Sequence, residues 1–246
     1  MNNKCFLTAA VLVGIILLTS GCIVIDLDGC GKKTVKGSGN VISETRPVAE
    51  FNRIHLKGSG KAYLTKGENL SIEIKTDDNI MPLIETSVAD GKLTISDKNY
   101  NLRPTALSYF IPVNDLKGII VSGSADLSCD SRLAADTFFA EISGSGDMLL
   151  ELEVENLESD ISGSGSMRFA GKTDSLSASI TGSGEINALD LEAKKVTLAI
   201  TGSGDADVFA TETLSAKITG SGDVRYKGNP RINQKITGSG KIRGHN

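Results

Sequence analysis

The chain has no tryptophan, four tyrosines and seven phenylalanines, so aromatics make up only 4% of its 246 residues. So few large rings exclude a bulky globular core and point to small, stacked side chains. Histidine is scarce too: only His55 and His245 occur, which leaves little imidazole for acid–base chemistry. Four cysteines are present, none at a Cys–His spacing that would hold zinc. Positive charge is not in excess; the formal net charge of −4 lacks the basic footprint of a nucleic-acid binder. No cofactor is implied.

Glycine, by contrast, is plentiful (27 residues) and placed in a pattern. Ile-Ser/Thr-Gly-Ser-Gly is written at Ile142–Gly146, Ile161–Gly165, Ile180–Gly184, Ile200–Gly204, Ile218–Gly222 and Ile236–Gly240, in steps of 19, 19, 20, 18 and 18 residues. A near-constant period of this size marks a solenoid, one coil per repeat. Around the repeat, apolar residues alternate with polar ones. Phe138, Leu157, Leu176, Val196, Leu214 and Ile232 precede the isoleucine by four residues, and Met148, Met167, Ile186, Ala206, Val224 and Ile242 follow the last glycine by two. Period-two alternation predicts strand, corner, strand. A helix would carry two glycines per copy at about 1 kcal/mol each. The expected fold is therefore all-β: a parallel β-helix, or β-solenoid, with coils of 18–21 residues. Its corners are formed by Gly144 and Gly146, Gly163 and Gly165, Gly182 and Gly184, Gly202 and Gly204, Gly220 and Gly222, and Gly238 and Gly240, with φ above zero at one corner position or more.

Degenerate copies stand at Val35–Gly39, Leu56–Gly60 and Val121–Ala125, so the array is expected to begin near residue 35. The 65 residues from the second copy to the third differ in texture. Leu70–Lys75 and Lys92–Ser96 alternate like strands; Asp77-Asp78-Asn79 and Pro82 suit the start of a helix over Ile80–Val88 that Asp90-Gly91 would end. A small strand–helix–strand insertion near residues 70–96 follows. Ser108–Val113 reads as a further strand, ended or edged by Pro112.

At the amino end, Lys4 and the apolar run Phe6–Leu18 read as a secretory signal, too short to span a bilayer. Leu18-Thr19-Ser20-Gly21-Cys22 resembles a lipobox, with Thr19 where leucine is commonest. The expected organisation is a lipoprotein signal peptide over 1–21, lipid attachment at Cys22, a tether over 22–34 and a solenoid domain over 35–246. The lipid would hold the protein on a membrane. Cys30 and Cys129 are expected to remain unpaired.

Candidate functional residues are few. The acidic residues that follow successive corners, Glu185, Asp205 and Asp223, would be stacked neighbours and could form a calcium ladder. Solvated polar corners are the preferred reading, and no metal site is assigned. His55 lies between Ile54 and Leu56 and is expected to face outward. Tyr63, Tyr100, Tyr109, Tyr226, Phe110, Phe139 and Phe209 are the available sugar platforms, with Phe138 and Phe169 on core parity; no aromatic column is apparent. An uncovered last coil would leave a strand edge for self-association.

The glycine corners, Arg46-Pro47-Val48 with Phe51-Asn52-Arg53-Ile54, Ile84-Glu85-Thr86 and Asp90–Ile95 together resemble the head GIN domain family. Its members are bacterial envelope proteins described as auto-transporter adhesins. The resemblance covers roughly residues 35–242 and implies a β-helical fold with a surface or adhesion role, and no catalytic residues. The expected function is that of a lipid-anchored, non-enzymatic adhesin or binding module of the cell envelope, with a glycan or protein as ligand. The alternatives are a periplasm-facing structural or regulatory lipoprotein and a polysaccharide-active β-helix enzyme.

Overall fold

The computed structural model describes residues 33–67, 70–97 and 100–245. The signal segment, Cys22, Cys30 and the tether through residue 32 lie outside the described residues. Among the described residues seventeen strands follow in order. The amino-terminal strands are β1 (Thr34–Lys36), β2 (Val41–Pro47), β3 (Arg53–Lys66), β4 (Ser71–Asp77), β5 (Glu85–Ala89), β6 (Lys92–Ser96), β7 (Asn101–Arg103) and β8 (Leu107–Val113). The array contains β9 (Gly118–Cys129), β10 (Leu133–Gly144), β11 (Asp147–Gly163), β12 (Ser166–Gly182), β13 (Glu185–Gly202), β14 (Asp205–Gly220), β15 (Val224–Lys227), β16 (Arg231–Gly238) and β17 (Ile242–Gly244). Most of them wind a β-solenoid of about seven turns.

From β9 onward every ladder is parallel, and corner pairs with corner: Gly123↔Gly144↔Gly163↔Gly182↔Gly202↔Gly220↔Gly238. The inward columns are dry. Ile142, Ile161, Ile180, Ile200 and Ile218 are buried, as are Phe138, Leu157, Leu176, Val196 and Leu214. Alternation slips where two consecutive residues such as Glu155-Asn156 or Lys194-Lys195 face water, and β12 and β13 slip a second time, at Ala170–Lys172 and at Leu189-Asp190. The changes of period, to 20 and back to 18 residues, are absorbed in register shifts between Arg168 and Ala170 and between Ala188 and Lys195. A bulge on a strand face costs little, whereas a residue added at the corner would break the glycine column.

The two glycines of a corner do different work. Gly202 takes φ +122°, and a Cβ there would collide with the carbonyl oxygen of Gly182 one coil away. That oxygen accepts the N–H of Ser203 at 2.8 Å, so the ladder runs unbroken through the corner. Gly204 needs no positive φ; a Cβ on it would meet Ile180 and the Gly184 carbonyl oxygen, at 2.5 and 2.6 Å. The first glycine supplies backbone conformation, the second close approach.

The amino-terminal third corrects three expectations. First, no helix covers Ile80–Val88: a single 3-10 turn, Met81–Leu83, is followed by strand β5, antiparallel to β6. Asp90 and Gly91 both have positive φ, 50° and 68°, and form the two-residue turn of this hairpin. Asp-Gly between alternating segments is itself a hairpin signal; the apolar run Ile80-Met81-Pro82-Leu83-Ile84 obscured it. Second, Asp77-Asp78-Asn79 cap no helix. They grip the first Gly-Ser-Gly copy: Asp77 Oδ1 accepts the Gly39 N–H at 2.7 Å, Asp78 Oδ1 the Ser38 hydroxyl at 2.5 Å, and Asn79 Oδ1 the Ser38 N–H at 2.9 Å. Third, that first copy is not a coil of the array, because β1 pairs with β7 in a separate two-stranded sheet.

The second and third copies, far apart in sequence, stack directly: Leu56↔Val121 and Gly58↔Gly123. The intervening chain lies on the other side of β3, where β6 and β8 form the next coil in parallel register. Beyond them β4 runs antiparallel to β8, and β2 antiparallel to β4. Pro112 falls past the stretch of β8 that β4 covers, as its missing N–H requires. Arg46 donates to the carbonyl oxygens of Ile84 (2.7 Å) and Met81 (3.1 Å), tying β2 to the 3-10 turn. Antiparallel strands thus cover this end of the solenoid. In the last coil, Ile232 and Ile236 stand on inward columns but are 40% and 37% exposed.

Candidate ligand-binding face

Parallel register lines up the outward side chains of successive coils in columns, and the column chemistry decides what the faces can do. The acidic corner column forms as expected: Glu185 pairs with Asp205. Asp205 and Asp223 are turned to structural use. Asp205 Oδ1 accepts the Asp223 N–H at 2.7 Å, and Asp223 Oδ1 accepts the Lys241 N–H at 2.8 Å. Each carboxylate thereby caps the next corner. Beside them Arg225 forks onto the nearly buried Asp207 at 2.7 and 2.5 Å. Among the described residues no group of three or more His, Cys, Asp or Glu gathers to hold a metal ion.

His55 faces outward and is half-buried, its Nε2 2.9 Å from Ser122 Oγ. Partial burial, then the cations Lys57 and Lys92, push its pKa below the ordinary value. Neighbouring cations disfavour the imidazolium that a Ser–His dyad must form, so this contact is poorly arranged for nucleophilic catalysis. The thiol of Cys129 donates to the Ser131 carbonyl oxygen at 3.1 Å.

The aromatics divide sharply. Phe138 and Phe169 are fully buried, and Tyr226 packs partly buried against the core. Tyr109 is a correction: it is no platform but a core residue, 5% exposed, and burial drives its phenol well above the usual range. Phe209 carries Lys227 over its ring at 4.6 Å. Tyr63 and Phe110 do what the sequence concealed. They are register partners on β3 and β8, stack with centroids 5.3 Å apart and planes 20° apart, and are each 37% exposed.

That stack begins an outward column that continues through Ser128, Leu149 and Arg168. Ser128 is small, so a recess of about 440 Å³ opens between Tyr63 and the 49% exposed Leu149. Lys61, Asp126 and Asp147 stand along one edge of it, two residues earlier on their strands, and Arg168 closes its far corner. Asp126 and Asp147 are both exposed and on the same edge, whereas glycoside hydrolysis needs carboxylates on opposite sides of a bond. A second groove of about 540 Å³ lies at the covered end, near Asn52, Gly91 and Pro112, and has no stacked ring.

Over residues 50–230 the chain matches the family described as "Putative auto-transporter adhesin, head GIN domain". Its fold is shared with a "putative adhesin" from Bacteroides fragilis, at 28% identity and a TM-score of 0.79, covering 86% of this chain and 100% of that one. A "putative lipid binding protein" from Parabacteroides distasonis is similar at 26% identity and a TM-score of 0.75, covering 87% of this chain and 100% of that one. A "putative adhesin" from Parabacteroides merdae is 28% identical with a TM-score of 0.70 and the same coverage. No curated protein matches the chain.

Proposed function

The chain belongs to the head GIN domain family, and from that premise we propose that it is a non-catalytic adhesion module of the bacterial cell envelope, anchored by lipid at Cys22. The observation that carries this reading is the recess between Tyr63 and Leu149: a ligand-sized hollow on a rigid face, lined for contact and hydrogen bonding rather than proton transfer. The solenoid suits the task, because parallel ladders hold outward side chains at fixed spacing with little freedom to lose on binding. The lipobox-like Leu18–Cys22 supports the anchor, and the exposed inward columns of the last coil support self-association through that edge.

Protease shaving of intact cells tests the placement. Digestion without lysis is the expected result, and Cys22→Ser should move the protein from the membrane to the soluble fraction. Full protection until lysis would overturn the adhesin reading in favour of a periplasm-facing lipoprotein.

A further inference from the structure

We propose that the recess at Ser128 is a carbohydrate subsite that takes one neutral pyranose ring, a deepening that rests on the reading of the chain as a binding module. The column itself supplies the geometry. Phe110 and Tyr63 show that adjacent rungs of this column hold rings in contact, 5.3 Å apart. The next rung carries Ser128 in place of a ring, and the one after carries Leu149. Two rungs span about 9.6 Å, which is two van der Waals contacts of about 4 Å with one saturated ring between them. One ring is missing from the stack, and the space it leaves is open to solvent.

The flanking groups select what fills it. The outer face of Tyr63, backed by Phe110, is an aromatic plane on which the C–H face of a sugar packs. Leu149 closes the opposite side with apolar surface. Lys61, Asp126, Asp147 and Arg168 then offer two acceptors and two donors to ring hydroxyls. Their charges balance, two cations against two carboxylates, so the site favours a ligand with no net charge. An acyl chain would require a closed apolar channel, but this recess is open and floored by a hydroxyl. An aromatic side chain of a protein partner could match the ring space but would leave four charged groups at the rim without hydroxyl partners.

Saturation-transfer NMR of the folded mature chain with a panel of methyl pyranosides (gluco, galacto, manno and N-acetylglucosamine forms) at about 10 mM reads weak single-ring contacts directly. At least one glycoside is expected to bind through its C–H face. Ser128→Phe, which supplies the missing ring, should weaken that binding at least about tenfold, and Tyr63→Ala should abolish it. Asn187→Phe, farther along the same column, should change nothing. Unchanged circular dichroism and melting temperature establish that the variants fold; should Ser128→Phe not fold, Tyr63→Ala decides. Binding of no glycoside, or equal binding by wild type and Tyr63→Ala, overturns the subsite. Sugar binding by a protein that shaving finds shielded would leave the subsite standing and remove the adhesin reading. Surface exposure and cell attachment by a protein that binds no glycoside would do the reverse.

Discussion

The regular coils from β10 to β14 and the amino-terminal strands β1 to β8 use the same motif to opposite ends. In the coils, Gly-Ser-Gly is a repeating corner whose partner is always the copy one period away. At Val35–Gly39 the same three residues form a strap, held by side chains rather than by another corner. Even the conformations are exchanged: the first glycine of a coil corner has positive φ, whereas in the strap it is the second, Gly39, at +88°. A repeated sequence therefore specifies a repeated structure only where its neighbour repeats as well.

The largest expected effect breaks this comparison at its centre. Gly202→Val should cost on the order of 3–5 kcal/mol, from backbone strain together with collision on the Gly182 carbonyl oxygen. Gly39→Ala, whose Cβ would meet nothing within 4 Å, should cost only about 1–2 kcal/mol for its φ. Urea unfolding of both variants measures the difference, and equal losses would show that the two corners are alike after all.

A smaller effect lies in the strap. Asp77 is fully buried with its carboxylate between the N–H groups of Gly39 and Thr105, each 2.7 Å away. Burial pushes its pKa up, but the hydrogen bonds from Thr105 and Gly39 outweigh that, and the net value falls below 3.8. A folded pKa below the unfolded one means stability that is complete above about pH 4 and is lost as pH falls through the folded value. The strap should therefore open in acid before the coils unfold, visible as early loss of amide protection at Gly39 and Thr105. Asp77→Asn, which must turn an amide N–H₂ toward one of two donors, should cost about 2 kcal/mol at neutral pH and flatten the acid response.

The smallest effect belongs to His55, on the strand where the two regions meet. Its folded pKa lies below 6.5, so the unfolded state takes up the proton first. Stability should be complete above about pH 6.5 and decline slightly below it. His55→Gln should remove that slope between pH 5 and 7 in chemical denaturation; a slope that persists would assign it elsewhere.

How much was legible follows from the same contrast. Corner glycines, strand parity and the buried isoleucine column could be read directly, because in a parallel array each residue's partner lies one period along the chain. Outward-facing His55 and buried Phe138 and Phe169 followed from the parity alone. The hairpin of β5 and β6 was signalled by Asp90-Gly91 and lost to the helical look of Ile80–Ile84. The stacking of β8 on β3 had no period to announce it, so Tyr63 and Phe110 read as separate aromatics and the recess beside them did not appear at all.

The amino-acid sequence by itself determined the solenoid: glycine where the backbone must turn with positive φ or approach closely, and alternating apolar residues where a strand has one dry side. Those are local requirements, and repetition carries them along the chain. Only the tertiary structure decided which non-repeating strands cover its first end, that Asp77 holds the strap, and that an aromatic stack ends beside a serine. Each of these depends on a register between segments that no period relates, set by how their buried faces and hydrogen bonds fit together in space.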